Sequence, residues 1–545
     1  SALTVAAGGE ESIEQVEAHC ERLVRRGQFL HASGTETVPD GTLTGRYGFL
    51  HTLYQSVVYE RVGAIQRTRL HRRIGERIEQ AYGTRAQEVA TELAVHFERG
   101  QDYRRAIQYL ERAARNALQR SAHVEAISHL SKGLALLNAL PDTVERLHQE
   151  LNLQIPLGMA LMATKSYGAP EVGHAYTRAR ELCRQVGATP QLAPVLYGLW
   201  TFHSMQAEWP TAYEAAEQLL RLGQDAQDPA LIMEGHYALG LMSYYTGKFA
   251  AAREHFEQGL TCYNPKSTGS RGIQDHSVAC LSMTALTLWF LGYQNQALRK
   301  IHEARALAQE LSHPFSLTFA LVCTVVLHVL RREIQTVQEE AAALIAFSIE
   351  QGFPFRVAQG TILRGWALAM QGQAEDGIAQ IRQGMAAYRA TGTEAEQSNW
   401  LALLAEAYGK AGRAKEGLSA LVEALTVVDK IGMRYREAEL YRLKGELSLQ
   451  SRQVKGKSKT SQDKSAVRSP ESEAEACFLK AIEIARKQQA KSLELRAVMS
   501  LSRLWLRQGK KDEARQMLAE VYGWFTEGFD TVDLREAKTL LEELV

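Results

Sequence analysis

The feature that most constrains this chain is a stripe that returns about every 40 residues: a small residue, an apolar residue four positions later, and a small or apolar residue three after that. In the first half it reads Ala106/Leu110/Ala113, Ala126/Leu130/Gly133, Ala175/Ala179/Leu182 and Ala212/Ala216/Leu219. It continues as Ala252/Phe256/Gly259, Ala297/Ile301/Ala304, Val337/Ala341/Leu344 and Gly377/Ile381/Gly384, then Gly417/Leu421/Ala424, Ala474/Phe478/Ala481 and Ala514/Leu518/Val521. From Ala252 the first members stand 45, 40, 40, 40, 57 and 40 residues apart. Positions i, i+4 and i+7 share one helical face, and small residues on it let antiparallel helices approach closely. A glycine five positions before the stripe (Gly247, Gly292, Gly372, Gly412, Gly509) marks a turn. A small residue twelve before it (Gly240, Ala285, Gly365, Ala405, Ser502) belongs to the preceding helix. The pattern predicts helix, turn, helix, repeated. One pair cannot bury its face alone, so the pairs must stack, and the 545 residues form one array instead of about three or four globular domains.

Composition narrows the function. The net charge of +1 supplies no bulk field for nucleic acid or an acidic membrane. Six cysteines, at 20, 183, 262, 280, 323 and 477, never approach a CxxC spacing, which points away from a disulfide framework or zinc ribbon and toward a reduced, cytoplasmic setting. The best apolar run, Phe315–Leu330, is 16 residues and short of the roughly 18 a membrane span needs. The sequence starts at Ser1 inside helical text, without a signal peptide, and reads as a piece of a longer protein.

Three segments depart from the repeat. The 57-residue spacing carries 17 residues beyond the period, matching the low-complexity stretch Arg452–Ser469, so residues 451–470 are expected to form a disordered basic insert. Residues 522–545 are expected to form a capping helix, with Asp530 as its cap, Asp533 in its first turn and Leu534, Ala537, Leu541 and Leu544 on one face. Residues 1–83 read as a helix (Ser12 to Gly27), a strand at Phe29–Ala32, a turn at Pro39-Asp40-Gly41, a strand at Arg46–Phe49 and a long helical stretch from Thr52 to Tyr82. A hairpin behind a helix is winged-helix geometry. The solenoid then occupies 84–450, with the last repeats at 471–521.

The stripes resemble tetratricopeptide repeats, lengthened by about six residues from their 34-residue consensus. The run Tyr47-Gly48-Phe49-Leu50-His51-Thr52-Leu53, with Val58-Tyr59-Glu60 and Arg69-Leu70-His71-Arg72-Arg73-Ile74, resembles the winged-helix junction after the ATPase core of bacterial multidomain signalling NTPases. The tail Tyr522-Gly523-Trp524-Phe525-Thr526-Glu527-Gly528-Phe529-Asp530-Thr531 is similar to the C-terminus of proteins that join a class III adenylate or guanylate cyclase, an AAA-like ATPase and such repeats. The resemblance implies that the ATPase and any cyclase lie upstream, that ATP or ADP binds there and that this chain holds no cofactor. It also implies a nucleotide-sensing role for His51, since Leu50-His51-Thr52 fills the place of a Met-His-Asp motif that touches the β-phosphate of ADP. The alternative for His51 is a simple helix cap.

Other chemical signals are sparse. Gly456-Lys457-Ser458 imitates the end of a phosphate-binding loop, but position 451 is Ser where the first glycine belongs. The insert's lysines lack interleaved aromatics for base stacking. Arg67, Arg69, Arg72 and Arg73, with His71, point around a helix and suit a solvated face or docking to an upstream ATPase domain. No HExxH, GxSxG or paired carboxylate indicates catalysis, and no metal site is expected. Trp200, Trp289, Trp366, Trp400, Trp505 and Trp524 fall on repeat faces and read as core, with Trp209 the exception beside Pro210. His203, His236, Tyr244 and His328, on first helices, are the candidates for a partner-binding groove. The leading expectation is a sensor and regulatory arm that binds a protein, peptide or small effector and controls an upstream nucleotide switch. A free-standing protein-interaction scaffold is the alternative. A DNA-reading regulator is disfavoured by the neutral charge, and neither nucleic acid nor a membrane is an expected partner.

Overall fold

A computed structural model describes residues 13–187, 190–263, 274–455 and 469–545. It divides into two compact units. One holds the described residues up to Ala160 with Glu181–Gly187; the other holds Leu161–Arg180 and the described residues from 190 onward.

The first unit opens with the helix Ile13–Arg25 and an antiparallel hairpin, β1 (Leu30–Thr37) and β2 (Leu43–Phe49), in which Leu30 faces Phe49 and Thr37 faces Leu43. Asp40 Oδ1 accepts from Thr42 N at 2.9 Å and its Oδ2 pairs with Arg77 at 2.8 Å, which ties the turn to the helix Ala64–Tyr82. The long helical stretch expected from Thr52 to Tyr82 is broken. It forms two helices, Thr52–Arg61 and Ala64–Tyr82, because Val62 turns extended and Gly63 starts the second. Repeat helices follow at Ala90–Arg99, Tyr103–Gln119 and His123–Leu137.

In the second unit the 40-residue period resolves into its parts. The helices Gln294–Glu310, Pro314–Leu330, Ile334–Glu350, Pro354–Met370 and Ala374–Ala390 are each 17 residues long, and three-residue turns join them. Two helices and two turns make 40. Every member of every stripe named above is buried. The position five before the stripe is left-handed, at the five glycines and also at Gln101, Ser121, Ala207 and Arg332, whose φ runs from 54° to 61°. At Gly365 and Gly377 the backbones touch: a Cβ on Gly377 would lie 2.5 Å from the Gly365 carbonyl oxygen.

The two helices of a pair play different parts. A second helix such as Gln294–Glu310 buries little more than its stripe, whereas the first helix His276–Leu291 is buried along its whole length. Burial on all sides follows from contacts that join repeats about five apart. Ser166 Oγ donates to the Thr391 carbonyl at 2.7 Å, 225 residues away, and Gln206 Nε2 donates to the Gly168 and Gly392 carbonyls at 2.6 and 2.9 Å. Trp209 Nε1 donates to the Ile431 carbonyl, and Gln294 Nε2 to Ser492 Oγ at 2.8 Å. Within this unit the repeats therefore coil back on themselves, with first helices inside.

The helix Val532–Glu543 covers the core of the preceding repeats through Leu534, Ala537, Leu540 and Leu544. Leu540 is the buried residue where Leu541 was expected; Leu541 is only partly buried. The cap position is Thr531, not Asp530, and Asp533 turns inward to pair with Arg496 at 2.7 Å. The basic insert narrows: the helix Glu437–Lys455 runs into it, another starts at Pro470, and residues 456–468, including Gly456-Lys457-Ser458, lie outside the described residues.

Candidate ligand cavity

The inward faces of the first helices enclose a cavity of about 110 Å³ in the second unit. These helices contribute residues one turn apart: Trp200 and Ser204, Tyr237 and Leu241, Phe319 and Cys323, Arg356 and Gln359. The walls are mostly aromatic and aliphatic, with a few polar groups among them, as in small-molecule sites.

Arg356 is the most unusual wall residue. It is 3% exposed, and its partners are neutral: Nη1 donates to Gln359 Oε1 at 2.9 Å and Nη2 to the Tyr167 hydroxyl at 3.1 Å. Among the described ion pairs none includes it, and its Nε–H has no acceptor. Instead the guanidinium carbon lies 5.3 to 5.6 Å from the ring centroids of Tyr167, Phe315, Phe319 and Phe355. Aromatic faces attract a cation but do not neutralise it.

Two irregular loops complete the cavity. Between Gln294 and Ala390 the turns hold three residues, but six (391–396) separate the helices Ala374–Ala390 and Gln397–Lys410, and five (432–436) separate Ala414–Ile431 from Glu437–Lys455. Each loop docks across the coil. Glu394 N and Ala395 N both donate to the Met205 carbonyl at 3.0 Å, and Arg434 N donates to that of Tyr245 at 2.8 Å. The first loop delivers Glu396 and the second Tyr435, and the Tyr435 hydroxyl donates to Glu396 Oε2 at 2.5 Å. Glu396 sits in the left-handed region (φ 65°), a strained backbone for a residue with a side chain. Burial raises its carboxyl above the usual range, against the opposing pull of the Tyr435 hydroxyl and Arg436.

Burial pushes the Cys323 thiol up to about 12, so it is no nucleophile at neutral pH. Among the described residues no group of three or more His, Cys, Asp or Glu is placed to hold a metal ion, and no helix is long and apolar enough to cross a membrane. A second recess of about 460 Å³ contrasts with the cavity, because the guanidinium groups of Arg332, Arg442, Arg496 and Arg503 in it all face carboxylates.

Of the residues singled out in the sequence, Tyr244 lines the cavity. The three groove histidines do not: His203 and His328 each hold the glutamate five residues on, Glu208 and Glu333, at 2.5 Å, and His236 faces His255 at 3.1 Å. His51 is exposed in the first unit, where its Nδ1 accepts from Leu53 N at 3.1 Å and caps the helix Thr52–Arg61. Of the basic cluster, His71 is buried between Tyr59 and His96, at 2.8 and 3.0 Å. Trp200 and Trp400, read as core, are cavity walls. Sequence reasoning passed over Arg356 and Glu396 although a signal exists. His276, Ser316, Arg356, Glu396 and Arg436 stand 40 residues apart at one phase of the repeat, a polar position where the helix turns inward.

Comparison with known proteins decides the architecture. A Rap protein complexed with Competence and Sporulation Factor matches with a TM-score of 0.50 at 11% identity, over 71% of this chain and 99% of that one. The fold is a tetratricopeptide-like repeat solenoid. A signal transduction ATPase with numerous domains and a tetratricopeptide repeat sensor, from Pyrococcus horikoshii, aligns with a TM-score of 0.38 and 13% identity, over 73% of this chain and 54% of that one. An uncharacterized protein of Rhizobium meliloti (strain 1021) is 25% identical over 404 residues, which is 73% of this chain and 39% of that protein. The chain thus spans about two fifths of that relative's length. No family model matches.

Proposed function

We propose that this chain is the sensor arm of a signal-transducing ATPase, in which the repeat coil takes up an effector and passes that event to a nucleotide switch upstream. The observation that carries this reading is the cavity itself: recognition groups without catalytic ones, closed by two loops that each bridge distant repeats. A ligand held between Arg356 and Glu396 ties the loops 391–396 and 432–436 to the helices they dock on, and so favours one pitch of the coil over another. The winged-helix reading of residues 1–83 puts His51 beside the nucleotide of the upstream module, where ATP or ADP, and in the longest arrangement a cyclase, would reside. A cytoplasmic location and a protein or peptide as the downstream partner belong to the same reading. The Rap similarity supports it to the extent that a chain of this fold is known in complex with a factor.

The coding sequence upstream of Ser1 in the parent gene is the test. A phosphate-binding loop within a few hundred codons supports the sensor arm, and His51→Ala in that full-length protein is then expected to raise basal nucleotide turnover. A start codon immediately before Ser1 removes the switch and leaves a free-standing binding scaffold.

A further inference from the structure

A buried cation needs an anion. Desolvating a guanidinium group is costly unless a negative charge joins it, and aromatic faces and neutral acceptors compensate only in part. Around the larger recess Arg442 meets Glu439 at 2.8 Å and Arg496 meets Asp533 at 2.7 Å, although the buried Arg436 there also leaves its Nε–H without an acceptor. At Arg356 the rule is broken on the wall of a cavity, with one guanidinium N–H left without an acceptor. Glu396, the carboxylate across the cavity, is already engaged by the Tyr435 hydroxyl. Near it Asn399 Oδ1 is a buried acceptor without a donor.

Size limits the ligand. At roughly 10–15 Å³ for each water-sized sphere, the room of about 110 Å³ suits a molecule of on the order of ten non-hydrogen atoms. That admits a single- or fused-ring molecule and excludes a nucleotide or a folded peptide. The rings of Trp200, Tyr237, Tyr244 and Trp400 supply its apolar walls. One guanidinium group suits a monoanion; a phosphate is commonly met by several cations or by the amides of a helix N-terminus.

We propose that this cavity binds a small aromatic carboxylic acid whose carboxylate pairs with Arg356 and whose opposite edge donates a hydrogen bond to Glu396 or Asn399. The assignment rests on the sensor-arm reading for its purpose, but not for its test.

Thermal unfolding of the chain is followed with 4-hydroxyphenylacetate or indole-3-acetate, and with 4-hydroxyphenethyl alcohol, which keeps the ring and hydroxyl and lacks the carboxylate. At least one acid is expected to raise the midpoint in a concentration-dependent way, and the alcohol is not. Arg356→Met is expected to weaken acid binding by at least about tenfold, while its ligand-free midpoint stays at or above that of the wild type because the unpaired charge is gone. Equal shifts with acid and alcohol overturn the proposal, as does the absence of a shift with both acids. Retained acid binding in Arg356→Met, with a lowered ligand-free midpoint, makes Arg356 a packing residue and overturns it too. The acid–alcohol comparison needs no variant and stands even where Arg356→Met fails to fold. None of these outcomes bears on the sensor-arm reading, which the upstream coding sequence decides.

Discussion

Between Gln294 and Ala390 the second unit keeps a strict rhythm of 17-residue helices and three-residue turns, whereas between Thr391 and Arg436 it does not. The regular stretch makes a wall. The irregular one makes the site, because its longer loops reach across the coil and carry Glu396 and Tyr435 to the cavity. Helix Gln397–Lys410 gives up three residues as the loop before it gains three, so the stripe period stays at 40 and the change is invisible to periodicity.

Overpacking the regular wall breaks this contrast most severely. Gly377→Leu forces a side chain against the Gly365 backbone and is expected to cost about 3 kcal/mol or more, with Ala297→Leu costing about 1–3 kcal/mol, both read from the urea midpoint. An unchanged midpoint in both would refute the register of the stripes.

His276 tests whether the inward polar phase of the repeat is a cost. Burial lowers its imidazole to about 4 from an ordinary 6.5, so the neutral form is favoured in the folded protein. That contribution is complete above about pH 6.5 and is lost as pH falls through 4, an effect of up to about 3 kcal/mol. In His276→Gln the fall in stability between pH 6.5 and 4 should be shallower than in the wild type. Equal slopes would mean that His276 does not titrate in this window.

In the irregular stretch, Tyr435→Phe removes the hydroxyl that Glu396 accepts from, and a loss of about 1–2 kcal/mol is expected on chemical denaturation. The smallest effect has the opposite sign. Ala207 occupies the left-handed turn position that other repeats give to glycine, so Ala207→Gly should stabilise by up to about 1 kcal/mol in thermal unfolding.

The stripes were legible in full, and each of their residues is buried, because close helix packing punishes a large residue at their small positions and a polar one anywhere on that face. The left-handed turns were legible wherever glycine marks them and not at Gln101, Ser121, Ala207 or Arg332, where the fold imposes the conformation on a residue that resists it. The site was nearly illegible. Tyr244 was singled out with three histidines that pair within or beside their own helices, since helix position alone does not say which inward residue meets a cavity and which meets a neighbour.

The sequence by itself determined the helices, their pairing and the face each second helix buries, all of which rest on contacts within about 40 residues and therefore repeat. Only the tertiary structure decided that the first helices are buried on every side and that Arg356 and Glu396 line one cavity. Those facts depend on contacts such as Ser166 with Thr391 and Gln206 with Gly392, 225 and 186 residues apart, which join repeats about five units distant and leave no periodic trace in the chain.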